Sequence, residues 1–250
     1  MLDKTLLNGL RVVESLAGSA RLRGVTELAR ELGISKTSTH RLLQTLASRH
    51  YVAKDEEGGG YKLTMRLWEV GAQVMSRNDV KRMGGAYLRK LADNTGESAH
   101  MTVLNGMEVV YIDKIDGRQP LRAFSPIGGR APAYCVATGK ALIAYQSEDF
   151  LRALEGELKP YTKRTITSAQ ALRADLARVK RLGYAVNRCE WRDNICSIGA
   201  PVFDASGSVV AGIGISGPAD RLPPATTKKI GKLVAEMSRD MSAALGYQAS

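Results

Sequence analysis

The densest run of side chains able to offer hydrogen bonds and positive charge lies between Ser35 and Lys54, which holds four Lys/Arg and no Asp or Glu. Ser35, Lys36, Thr37, Ser38, His40, Arg41 and Gln44 are residue types that contact phosphates and base edges. Lys54 and Lys62 follow on two short β-prone runs around an Asp55–Gly60 turn. The chemistry this set suits is noncovalent, with double-stranded DNA as partner. The turn's Asp55-Glu56-Glu57 is the part that phosphate would repel.

Other constellations point to less. Gly139-Lys140 lacks the phosphate-loop spacing and is followed by Ala141. Gly212, Gly214 and Gly217 match a dinucleotide fingerprint, but prolines follow where a helix must open, so they read as close strand packing. Three cysteines and three histidines show no metal-ligand spacing, and neither metal nor cofactor is expected. A nucleophilic pair of Cys135 with His100 rests on residue identity alone. It defines the alternative, a small-molecule-binding or hydrolytic domain whose N-terminal unit mediates protein contacts.

The elements that must position these residues divide the chain at residue 64. Over 1–64, Leu6, Leu10, Val13 and Leu16 form one apolar face of a first helix. A second helix starts at Thr26 as N-cap and stops at Gly33, where a turn wants positive φ. A third starts at Ser35 and is pinned by Ile34 and Leu42. The hairpin after it reads as a wing. Residues 65–93 are two linking helical pieces interrupted at 77–79, and Gly84-Gly85 would permit close backbone approach.

From 94 to 250 strands and helices mix. Strands are expected at 98–104, 108–115, 121–125, 184–186, 197–203 and 209–216, and helices at 138–146, 148–155, 168–182 and 226–245. Asn105-Gly106 is a strong hairpin signal. Tight turns between neighbouring strands imply α+β with a mainly antiparallel sheet. Free backbone N–H groups at a helix opening on Ala137-Thr138-Gly139 would suit a carboxylate guest.

Composition agrees. Of 250 residues, 44% are hydrophobic, which suits a sizeable core. No run approaches the ~18–20 apolar residues of a membrane span, no secretory signal is visible at the N-terminus, and the odd cysteine count fits reduced thiols. A cytoplasmic location is expected. The formal net charge of +11 hints at an anionic partner. Yet residues 1–64 carry 10 basic against 7 acidic residues, only +3, and residues 65–250 carry 26 against 18.

The helix-turn-helix run T-E-L-A-R-E-L-G-I-S-K-T-S-T-H-R-L-L-Q-T-L, then R-A-P-A-Y-C-V-A-T-G-K-A-L-I-A at 130–144, G-Y-A-V-N at 183–187 and A-P-V-F-D…G-I-S-G-P at 200–218, resembles the IclR family of bacterial transcriptional regulators. The resemblance covers nearly the whole chain. It implies an N-terminal winged helix-turn-helix, a linker helix and a C-terminal GAF-like α/β effector domain. It also implies homodimers or homotetramers on pseudo-palindromic operators, a small organic-acid or aromatic effector, and no enzymatic role. Carried over position by position, it places Ala137, Thr138, Asn187, Cys196 and Ser216 at the effector. The chain departs at Asn187, where many relatives are acidic, and at Gly214, where many carry a hydroxyl; Glu190, Trp191 and Arg192 are the compensating candidates.

Overall fold

A computed structural model describes residues 2–76, 79–120 and 126–248. The strand expected at 121–125 lies outside these residues, as do 77 and 78 of the expected interruption. Contacts divide the chain into two compact units, Met1–Arg77 and Asn78–Ser250.

In the first unit, α1 (Lys4–Ala17) starts at Asp3, whose carboxylate accepts from the amides of Thr5 and Leu6. Helix α2 (Val25–Leu32) begins earlier than expected. Its N-cap is Gly24, which makes no side-chain cap, so Thr26 lies inside the first turn. Gly33 ends it in the left-handed region at φ 67°. Helix α3 (Lys36–Ser48) follows, with Ser35 Oγ accepting from Ser38 N at 3.1 Å. Strands β1 (Val52–Lys54) and β2 (Tyr61–Leu63) form the antiparallel wing, and Arg23 bridges to Tyr61. Val12, Leu16, Leu28, Leu32, Leu43, Val52 and Tyr61 make the core. Of the face expected on α1, only Leu16 is in that core; Leu6 and Leu10 are exposed, and so is Leu7. Helix α4 (Met65–Ser76) closes this unit, with Met65 and Trp68 exposed.

In the second unit, α5 (Asp79–Thr95) leads into β3 (Ser98–Asn105) and β4 (Glu108–Ile115). Then come β5 (Arg130–Pro132), a tight 3-10 turn at Ala133–Cys135, α6 (Ala137–Ile143), α7 (Glu148–Glu155) and α8 (Ala169–Leu182). Strands β6 (Ala185–Arg188), β7 (Ile195–Phe203) and β8 (Val209–Pro218) precede α9 (Pro224–Ala244). Among the described residues the sheet order is β5-β4-β3-β8-β7-β6, antiparallel throughout. This is the GAF-like α+β arrangement.

One face of that sheet takes α6 and the other takes α5 and α9. The glycines of the 212–217 run serve packing: a Cβ on Gly212 would lie 2.8 Å from Thr138 O, and one on Gly214 would strike the Ile198 carbonyl. Gly199 on β7 likewise leaves room for Thr138. Gly84 admits side chains rather than a backbone, because a Cβ there would collide with Met101.

Candidate functional site

Helix α3 buries Thr39 and Leu43 and leaves Lys36, Thr37, His40, Arg41 and Gln44 exposed. Thr37, His40, Arg41 and Gln44 recur at helical spacing, so they share one stripe. Ser35 and Ser38 act locally, since their hydroxyls bond each other at 2.9 Å and cap the helix. In the wing, Ala53 pairs with Lys62 and Lys54 with Tyr61. Residues directly opposite share a face, so Lys54 and Lys62 project to opposite sides. Lys62 also stands 3.7 Å from Asp55. The acidic turn thus neutralises part of the wing's own charge.

The second unit contains a cavity of about 180 Å³ on the α6 face of the sheet. Register explains its polarity. Ser98, Ser216, Ser197 and Asn187 stand opposite one another across β3-β8-β7-β6, a polar row on one face. Ser216, Ser197 and Asn187 line the cavity, joined by His100 and Tyr111; Arg130, Val136, Trp191 and Arg192 are also among its walls. The His100 Nδ1 and Ser216 Oγ atoms are buried and make no hydrogen bond. Burial, with the Lys114 charge adding, lowers the His100 pKa to about 4, so the ring is neutral at pH 7. A neutral imidazole offers one donor and one acceptor. Arg192 is exposed, and no ion pair engages it among the described residues. The lining can therefore hold hydroxyl, carbonyl and carboxylate groups of a small guest.

Of the residues expected at the effector, Asn187 and Ser216 line this cavity. Ala137 and Thr138 sit behind it. The Ala137 amide donates to Ser197 Oγ at 3.3 Å, and Thr138 is fully buried over Gly199 and Gly212. The α6 opening is thus packed onto the sheet, with Thr138 Oγ1 buried and unpartnered. Gly214 lies beside His100 in the ladder but packs against β7. Cys196 is one residue out of register. Successive side chains on a strand alternate, so Ser197 takes the cavity face and Cys196 the opposite one.

Glu190 holds the site together from outside. It forms an ion pair with Lys140, a lysine with no exposed surface whose Nζ also lies 2.8 Å from Asp175 Oδ2. The Glu190 amide donates to Asn187 Oδ1 at 2.7 Å, and Asn187 Nδ2 donates to Ser197 Oγ at 3.2 Å. One chain of polar contacts therefore runs from the buried amine to the cavity floor. The sequence does not single out His100, Tyr111, Arg130, Val136 and Ser197 as lining one cavity, nor Lys140 as the buried cation behind it. Nothing activates Cys135 through His100: among the described residues no hydrogen bond joins the two, His100 Nδ1 has no partner, and burial, reinforced by the Glu190 charge, pushes the Cys135 thiol up to about 12. Among the described residues no cluster of His, Cys, Asp and Glu could hold a metal.

A winged helix with an acid-free recognition helix, in one chain with a sheet domain enclosing a polar cavity, defines a DNA-binding transcriptional regulator with a small-molecule sensing domain. The chain belongs to the IclR family of bacterial transcriptional regulators: the IclR helix-turn-helix domain matches residues 5–56 and the IclR C-terminal domain residues 72–243. It is 38% identical over 232 residues to the HTH-type transcriptional regulator KdgR of Escherichia coli K12, covering 92% of this chain and 88% of that relative. It is 32% identical to XynR of the same strain, covering 96% of each. The crystal structure of the Thermotoga maritima IclR matches with a TM-score of 0.82 at 28% identity, over 97% of this chain and 99% of that one.

Proposed function

We propose that this regulator binds a pseudo-palindromic operator as a homodimer or a pair of dimers, and that a small carboxylate in the sheet-domain cavity changes its operator affinity. Lys36, Thr37, His40, Arg41 and Gln44 read the major groove. Ser35 and Ser38 hold the start of the helix, Lys54 and Lys62 approach the backbone from either side of the wing, and α4 and α5 link the two functions. The protein acts in the cytoplasm; among the described residues no helix is long and apolar enough to cross a membrane.

The observation that carries the effector reading is the pair of buried, unpartnered polar atoms, His100 Nδ1 and Ser216 Oγ, on one cavity. Buried polar groups without partners are uncommon in native proteins and call for an explanation. A bound hydroxy- or keto-acid supplies those partners, with its carboxylate at Arg192. A thermal-shift screen of aliphatic and aromatic acids tests this, since ligand binding raises the melting temperature by mass action. A hit should lose its shift in Ser216→Val and Arg192→Gln. Hits that keep their full shift in both variants place the effector elsewhere.

A further inference from the structure

Cys189 and Cys196 flank the loop between β6 and β7. Their sulfurs lie 3.3 Å apart and both side chains are buried. A disulfide requires about 2.05 Å, so closing the bond draws the two sulfurs together by a little over 1 Å. The backbone presents the pair. Arg188 is the last β6 residue in the ladder, opposite Cys196, so Cys189 lies just beyond it. Cys189 adopts φ 62°, and its carbonyl accepts from Thr162 Oγ1 at 2.7 Å. Cys196 also lines a second cavity, of about 110 Å³, together with Arg164 and Arg188, which are exposed. Cys196 keeps 8% of its surface exposed.

We propose that Cys189 and Cys196 form a reversible disulfide that fixes one wall of the effector cavity, making the sensing domain responsive to peroxide. The ionised fraction of Cys196 attacks hydrogen peroxide; an S–O bond forms, the O–O bond breaks, and the departing hydroxide takes up the proton the thiol released and leaves as water. The Cys189 sulfur then attacks the sulfenic sulfur, the S–O bond breaks, the S–S bond forms and a second water leaves. The two thiols lose two electrons and two protons, and peroxide takes them. A dithiol reductant reverses the step by exchange. Burial, with the neighbouring Cys189, pushes the Cys196 thiol up to about 12. The scarcity of thiolate makes oxidation slow, and a reduced form without thiolate stabilisation makes the disulfide durable once formed.

The cross-link brackets Glu190, Trp191 and Arg192. Trp191 and Arg192 line the effector cavity, and Glu190 carries the ion pair to Lys140. The cross-link stands apart from the effector reading; only its consequence for effector binding rests on that reading.

The test uses the full-length protein, fully reduced and then exposed to ~1 mM hydrogen peroxide. A mass loss of about 2 Da is expected, reversed by dithiothreitol. Tryptic peptides cut after Arg192 should be joined through Cys189 and Cys196. The loss should persist in Cys135→Ser and vanish in both Cys189→Ser and Cys196→Ala, with native circular dichroism in each. In a Trp68→Phe background the Trp191 emission should shift on oxidation and return on reduction. Three thiols still open to alkylation after unfolding the treated protein, or a cross-link through Cys135, overturn the proposal. A correct cross-link with unchanged Trp191 emission overturns its coupling to the cavity.

Discussion

Taking an amine out of water is offset only when opposite charge and hydrogen bonds stand close by. Lys140 has both, and its two carboxylates belong to elements that otherwise would not meet: Asp175 on α8 and Glu190 on the loop after β6. Lys140→Met should destabilise the second unit by ~3–5 kcal/mol, because Glu190 is left buried without its cation. Urea unfolding measures it, and adding Glu190→Gln should restore part of the loss; no recovery would mean the ion pair is not what the loop depends on. His100 gives a second prediction. Its pKa falls from the ordinary 6.5 to about 4 on folding. Between those values the unfolded chain takes up a proton that the folded ring refuses. Stability from this group is therefore present above pH 6.5 and lost as pH falls toward 4, by ~3 kcal/mol in all. Melting across this window in the native chain and in His100→Gln checks it; equal slopes would rule His100 out. At this scale the sequence is partly legible. Asn187 and Ser216 were identifiable, but choosing between Cys196 and Ser197 needs the strand register, and a lysine within a helix carries no mark that it points inward.

Element by element, the recognition helix was the most readable part, since Gly33, Ser35 and the buried Leu43 each have a local reason for their place. Arg41→Ala removes a charge from its exposed stripe and should weaken operator binding about tenfold or more, reducing the salt slope by ~1. Effector-induced thermal shifts should not change. Equal loss of effector binding with normal folding would contradict a division of labour between the units. Helix α1 was less readable, because two apolar faces are superimposed on it. Val12 and Leu16 are buried, whereas Leu6 is 65% and Leu10 53% exposed. Helical periodicity finds apolar stripes but cannot say which one a single chain buries. In the homodimer proposed above, this exposed apolar stripe is the surface assigned to the second copy. Leu6→Lys with Leu10→Lys should therefore yield a monomer with unaltered intrinsic folding. Sedimentation velocity decides it, and a persistent dimer would move the interface away from α1.

For the whole molecule the question is where the charge acts. Residues 1–77 carry 12 basic and 8 acidic residues, +4 of the total +11, so residues 78–250 carry +7. Much of the latter surrounds 151–200, which alone holds 10 basic against 5 acidic residues. Net charge sets non-specific attraction, whereas phosphate contacts set the salt slope. If only Lys36, Arg41, Lys54 and Lys62 of each protomer meet phosphates, a dimer makes at most about eight such contacts, and log K falls with log salt at a slope no steeper than ~−7. Operator titrations from low to physiological salt measure that slope. Neutralising Lys163 and Arg164 to glutamine should leave it unchanged. A steeper slope, or one that those substitutions flatten, would show that the sensing domain's positive surface also lies against DNA. The operator-bound state would then draw on both units, and an effector could act by changing how much of that surface reaches the duplex.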